Sequence, residues 1–451
     1  MLRTELLLLP LLLFVVLAVM AQDRIWTRMN GTLGQDIGYG VAVDTSSGSV
    51  YVTGSARGSL FGQPYVANDD IFLLKYASDG TLIWARMVGD SGKDVGRGLA
   101  VDSSSGTVYV VGEVGSKLNG QSYAGGSSDI VLLKYASDGT LIWTRMNGTL
   151  GQDIGCGVAV DSSSGTVYVV GQVGSKLNGQ SYAGGISDIV LLKYASDGTL
   201  IWTRMAGNSS SDSGKGVAVD TSSGSVYVTG NAEGALFGQS NAGHTDIFLL
   251  KYASDGTLVW ARMAGRSGGD SGLGVAVDTS SGTAYVTGQV GGMLNGQPYA
   301  GNGDIILLKY ASDGTLIWTR MAGNSSSDVG RGLAVDSSSG TVYVVGQVGS
   351  MLNGQSYAGG ISDIVLLKYA SDGTLIWTRM AGTIATDIGM GVAVGSSANA
   401  VVYVTGSAGG IMDSQSFKGD VDIITLSYDT RVSSVQPSSQ PSVQPSGQPT
   451  S

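Results

Sequence analysis

The sequence predicts an all-β fold, a seven-bladed β-propeller with four antiparallel strands per blade. Three observations predict it: a composition suited to short strands and tight turns, a tryptophan that returns at constant spacing, and chain ends that complement each other. Of 451 residues, 72 are glycine and 13% are charged, against roughly 7% glycine and 25% charge in ordinary globular chains. Tracts of helix formers are missing, while β-branched and aromatic residues recur in short runs, which favours strands.

The tryptophans set the register. Trp26, Trp84, Trp143, Trp202, Trp260, Trp318 and Trp377 follow one another at 58 or 59 residues, and no tryptophan lies outside the series. A fixed period of this length marks a repeat architecture. Within one period the sequence predicts strands at Gly40 to Asp44, Ser49 to Thr53, Asp70 to Tyr76 and Thr81 to Met87. The first two are joined by Thr45-Ser46-Ser47-Gly48 and the last two by Ala77-Ser78-Asp79-Gly80, both tight hairpins in which glycine supplies the left-handed conformation. A longer Gly, Asn and Gln-rich loop joins the second to the third, so each period reads as a four-stranded meander.

Four-stranded repeats build either a ring or an open solenoid, and the chain ends decide between them. Arg24 to Met29 (RIWTRM) is a fourth strand with no third strand before it, and Asp422 to Tyr428 (DIITLSY) is a third strand with no fourth after it. Pairing the two completes the seventh blade and removes the open edges of a solenoid. The last repeat diverges most, with Gly395 in place of aspartate and Ser427 in place of lysine, which reads as drift at a chain end.

Outside the repeats, residues 1 to 21 carry Arg3, an apolar run from Leu6 to Val19 and small residues up to Ala21. This pattern predicts a secretory signal peptide, and with it a secreted or cell-surface protein. The run falls short of the roughly 20 apolar residues needed to span a bilayer, so no membrane insertion is expected after cleavage. Residues 431 to 451 carry Pro437, Pro441, Pro445 and Pro449 in Gln-Pro-Ser quartets, a disordered or polyproline-like tail that would hold the propeller away from a surface. Residues 22 to 430 form the propeller. Cys156 is the only cysteine, so packing rather than a disulfide must hold the fold. Asn30, Asn147, Asn208 and Asn324 open N-glycosylation sequons. The net charge of −10 leaves no basic footprint for nucleic acid.

The segments GVAVDTSSGSVYVTG (Gly40 to Gly54) and DIVLLKYASDGTLIW (Asp129 to Trp143), with the Asp-x-Gly-x-Gly run at Asp36 to Gly40, resemble the SBBP β-propeller repeat family. The resemblance covers all seven periods. It implies an extracellular or cell-surface propeller and brings no shared activity, cofactor or catalytic residue.

In such a ring, the connections after strands two and four share one face, which carries the longer and more varied loops and is where a ligand is expected. Each period leads into its first strand through Asp-x-Gly-x-Gly, with Asp36, Asp94, Asp153, Asp212, Asp270, Asp328 and Asp387. Seven carboxylates on one ring could gather cations, but capping of the local turn is the favoured reading, and no metal site or cofactor is expected. The residue between the two glycines varies: Tyr39, Arg97, Cys156, Lys215, Leu273, Arg331 and Met390. At a channel mouth, Tyr39 with Arg97, Lys215 and Arg331 would form a clamp for a small anion, although relaxed selection explains the variation as well. Tyr65, Tyr123, Tyr182, Tyr299 and Tyr357 recur in the long loops and offer either a glycan platform or packing between blades.

Catalysis has little support. His244 is the only histidine, so a thiolate dyad would have to pair it with Cys156. The leading expectation is a secreted, monomeric, non-enzymatic module that binds an extracellular glycan or protein through its long-loop face. A propeller hydrolase or lyase acting on extracellular polysaccharide is the second class, and a structural wall or matrix component the third.

Overall fold

The computed structural model describes residues 23–396 and 400–431, so the expected signal peptide and the tail beyond Arg431 lie outside the described residues. Among the described residues the chain forms seven four-stranded antiparallel sheets. In blade one, Ile37–Val43 is the inner strand, followed outward by Val50–Ala56, Asp70–Tyr76 and Leu82–Val88. Blades two to six repeat this consecutive order. The third and fourth strands fall within a residue of their predicted bounds, and the second runs three residues past Thr53 to Ala56. The inner strand instead starts at Ile37 rather than Gly40, because the Asp-x-Gly-x-Gly run itself pairs, Ile37 lying opposite Ser55.

The two middle strands explain why the sequence reads as continuous apolar runs rather than alternating ones. Val50–Ala56 is buried throughout, and Asp70–Tyr76 is buried at every residue except Lys75. A strand covered on both faces needs apolar side chains on both. Those faces meet between blades: Tyr51, Ile71 and Leu73 of blade one pack on Val108, Val110, Val131 and Leu133 of blade two. An equivalent cluster fills each of the other six joints. At about 1.5–3 kcal/mol per buried aliphatic side chain, this packing stands in for the missing disulfide.

Each outer strand also grips the next blade. Arg145 of blade two donates to the Gly198 carbonyl (2.8 Å) and the Asp197 carbonyl (3.0 Å) in the Ser-Asp-Gly turn of blade three. Trp143 Nε1 and Lys134 Nζ both reach the Ser196 carbonyl of that turn, at 3.3 and 2.8 Å. The Arg145 guanidinium lies 5.1 Å from the Trp143 ring centroid, a cation–π contact. Gly198 takes φ 83° there, and a Cβ would stand 2.8 Å from Arg145 Nε, so glycine is required on both counts.

Blade seven closes as the chain ends predict. Its inner three strands are Asp387–Val394, Val401–Ala408 and Asp422–Asp429, and its outer strand is Arg24–Asn30. Thr27 faces Leu426 and Met29 faces Ile424 in an antiparallel pair. Because the blade is built from two chain segments it has no Ser-Asp-Gly turn for blade six to grip. Arg379 pairs with the Asp23 carboxylate instead, and Lys368 donates to the Thr430 carbonyl (2.9 Å). Trp377 Nε1 is buried with no partner among the described residues.

Two sets of buried aspartates tie the loops of the long-loop face. Asp94 accepts from Asp90 N (2.7 Å) in the connection leading into its strand and from Gly115 N (3.1 Å) at the start of the long loop. The other six aspartates of this set make the same two bonds, so the capping spans two loops rather than one. The aspartate that opens each third strand, such as Asp129, caps its loop through Oδ2 but leaves Oδ1 buried without a partner. That oxygen presses on the glycine after the outer strand: a Cβ at Gly148 would lie 2.1 Å from Asp129 Oδ1.

Burial lifts the carboxyl pKa in both sets, to about 6 for Asp94, Asp129, Asp212, Asp328 and Asp363. A folded-state pKa above the unfolded value of about 3.9 favours the protonated form in the fold. The stability these groups contribute is full below about pH 4 and is lost as the pH rises through about 6. Asp102 of the first hairpin behaves oppositely: burial would raise its pKa, but the Ser105 and Ser104 hydroxyls outweigh that and lower it. Its contribution fades only in stronger acid.

Three outcomes are expected. Deleting Gln22 to Asn30 lowers the thermal midpoint and promotes self-association through the opened edge of Asp422–Asp429, read by calorimetry and light scattering. Arg145→Ala destabilises by about 2 kcal/mol in denaturant titration, the scale of a hydrogen bond from a charged group. The thermal midpoint falls by several degrees between pH 5 and pH 8; a flat or rising profile would contradict the buried-carboxyl account.

Candidate functional site

In every inner strand the register slips between two glycines, as between Gly38 and Gly40, and the residue between them is the extra one of a β-bulge. A bulge re-aims its side chain, and here it sits within the first residues of the strand, at the long-loop end of the axis. The glycines let the inner strands approach: a Cβ on Gly38 would stand 2.4 Å from Thr405 Oγ1 of the neighbouring blade. Tyr39, Arg97, Leu273, Arg331 and Met390 thereby line an axial cavity of about 220 Å³ to which all seven blades contribute. Five of the seven variable residues are thus channel side chains on a paired strand, while Cys156 and Lys215 stand outside the lining.

The three cations do not act alike. Arg97 Nη2 is paired with Glu113 Oε1 at 2.5 Å, and its guanidinium lies 5.9 Å from the Tyr39 ring centroid. Burial alone would lower the Arg97 pKa, and the adjoining Glu113 carboxylate outweighs it. Arg331 donates through Nε and Nη2 to the neutral Gln347 Oε1, at 3.1 and 3.0 Å, and burial lowers its pKa with no carboxylate to offset it. Lys215 stands outside the cavity lining, although the following Gly216 is part of it. The expected clamp therefore reduces to Arg331 and Tyr39, with a neutralised Arg97 beside them. Burial raises the Tyr39 pKa, which keeps its hydroxyl protonated.

The recurring tyrosines are half-buried, and their hydroxyls are spent within their own loops. Tyr65 donates to the Asn68 carbonyl, Tyr123 to Gly126, Tyr182 to Gly185 and Tyr357 to Gly360, while Tyr299 accepts from Gly303 N. The four sequon asparagines are also half-buried, with Nδ2 engaged: Asn30 on Tyr76, Asn147 on Tyr194, Asn208 on Asp212 and Asn324 on the Ser350 carbonyl. Cys156 occupies the bulge of blade three, with Sγ 4.0 Å from the Ile154 carbonyl, and His244 is exposed in a blade-four loop; no hydrogen bond joins them. Among the described residues no group of three or more His, Cys, Asp or Glu gathers to hold a metal.

One feature escaped the sequence reading. In the connections between blades, Leu33, Leu150 and Ile384 are 89%, 83% and 88% exposed, where Ser91, Ser209, Ser267 and Ser325 stand in the other four. Ile186, Ile361, Met351 and Ile411 are also strongly exposed on the long loops. The signal was present as an apolar residue at an otherwise serine position, but a period read for its constant residues passes over it.

The SBBP β-propeller repeat model matches residues 25–62 and 201–238. Each stretch runs from an outer strand through the inner and second strands of the following blade. Regulatory protein FlaEY of Caulobacter vibrioides is 27% identical over 419 residues, covering 82% of this chain and 43% of that protein. This chain therefore spans less than half the length of that relative. Among solved structures, hydrazine synthase of Kuenenia stuttgartiensis aligns at a TM-score of 0.50 and 9% identity, covering 89% of this chain and 96% of that one. Sqt1 from Chaetomium thermophilum aligns at 0.46 and 12%, covering 94% and 88%. The first likeness concerns the fold alone. With its closure and its seven sheets, the chain is a seven-bladed β-propeller in which two stretches match the SBBP β-propeller repeat.

Proposed function

We propose that this protein is an extracellular, non-enzymatic binding module whose long-loop face docks a protein partner. The observation that carries this reading is the exposure of Leu33, Leu150, Ile384 and Ile361 on that face. Large apolar side chains held almost fully in water gain from being covered, and grouped on one face they mark an interaction site. The grouping is uneven: a Cβ on Gly359, two residues before Ile361, would lie 3.4 Å from Ile384 Cα, so blade six and the connection to blade seven present these tips together. A protein is favoured over a glycan because the five loop tyrosines already use their hydroxyls internally. The apolar leader at residues 1 to 21 supports an extracellular place for the module. The likeness to a protein described as regulatory is consistent with it.

The test is cross-linking capture from the native extracellular milieu with the wild type and a Leu33→Ser, Ile361→Ser, Ile384→Ser variant side by side. A protein recovered by the wild type and depleted at least roughly tenfold with the variant is expected, the variant's stability changing by no more than about 0.5 kcal/mol per site. Equal recovery by both would overturn the assignment.

A further inference from the structure

The axial cavity carries a second inference, independent of the apolar tips. We propose that it is a seat for a small carboxylate, held by Arg331 and Tyr39 with Arg97 alongside.

The charges around the cavity define the ligand. Glu113 neutralises Arg97, whereas the hydrogen-bond acceptor of Arg331 is an uncharged amide, so Arg331 brings an uncompensated cation to the axis of an otherwise acidic chain. A guanidinium removed from water without a counter-ion is costly, and an anion on the axis would offset that cost. The donors are in place: Nη1 of both arginines and the Tyr39 hydroxyl have no hydrogen-bond partner among the described residues, and Arg97 Nε is buried without an acceptor. Arginine's planar fork suits a carboxylate better than a point charge does. Leu273 and Met390 stand on the two blades that flank Arg331, so apolar side chains adjoin the cation in the lining. At about 220 Å³ it is matched to a ligand of monosaccharide size.

Isothermal titration of the full chain with D-glucuronate, D-glucose and inorganic phosphate tests this. Saturable one-site binding of glucuronate is expected, with no heat from glucose, weaker binding of phosphate and a loss of at least about tenfold in affinity for Arg331→Gln. A glucuronate response absent in the wild type, matched by glucose, matched by phosphate or unchanged in Arg331→Gln would overturn the proposal. If Arg331→Gln does not fold, the wild type decides: raising sodium chloride from about 50 to about 500 mM should weaken glucuronate binding several-fold, and insensitivity to salt would overturn it. The Leu33→Ser, Ile361→Ser, Ile384→Ser variant should bind glucuronate like the wild type, so failure of the docking face and failure of the axial seat read out separately.

Discussion

The antiparallel pairing of Arg24–Asn30 with Asp422–Asp429 is the contact on which the rest of the ring depends. Each blade buries its middle strands against a neighbour on both sides, so a row of blades would leave two apolar sheets in water at its ends. Joining the ends brings Trp26, Tyr403 and Ile423 of blade seven onto Val41, Val50 and Val52 of blade one. It also lets Arg28 and Trp26 grip the Gly80 and Ser78 carbonyls of the first turn, as their counterparts do around the ring. Closure thus completes a circular set of equivalent joints.

Those joints are made by a small repeated vocabulary. The tryptophan, arginine and lysine of one blade converge on the Ser-Asp-Gly turn of the next, and the paired aspartates bind the loops on the opposite face. Between these two fastened faces, the bulged residues of five inner strands, Tyr39, Arg97, Leu273, Arg331 and Met390, line the axis. The division of labour is spatial: repeated residues hold the wheel, and these variable residues furnish its hub.

Much of this was legible in the amino-acid order because the physics is periodic. The tryptophan spacing, the Ser-Asp-Gly turns and the complementary ends were enough to predict the number of blades and the closure. The inner strand was misplaced by three residues because Gly38 and Gly40 resemble a loop, when they mark a bulge inside a paired strand. The site was less legible still. Glu113 and Gln347 occupy the same position of the repeat, but only the fold shows that this position reaches the bulged arginine, so that Arg97 gains a counter-ion and Arg331 an uncharged amide. Lys215 looked equivalent to both arginines, yet it lies outside the cavity lining.

The hydrogen bond from Asp429 N to the Asp23 carbonyl, at 2.7 Å, makes the seam a place where two chain segments lie as close as the arms of a hairpin. The break in the polypeptide occupies the position that a Ser-Asp-Gly turn holds in every other blade, so the wheel has no intrinsic beginning. A chain spliced there by such a turn and cut at Gly139 or Gly198 would retain the same inventory of strands with the seam moved to another spoke. Trp377, left with an unanswered indole nitrogen at the present seam, would then gain the carbonyl its six counterparts already have.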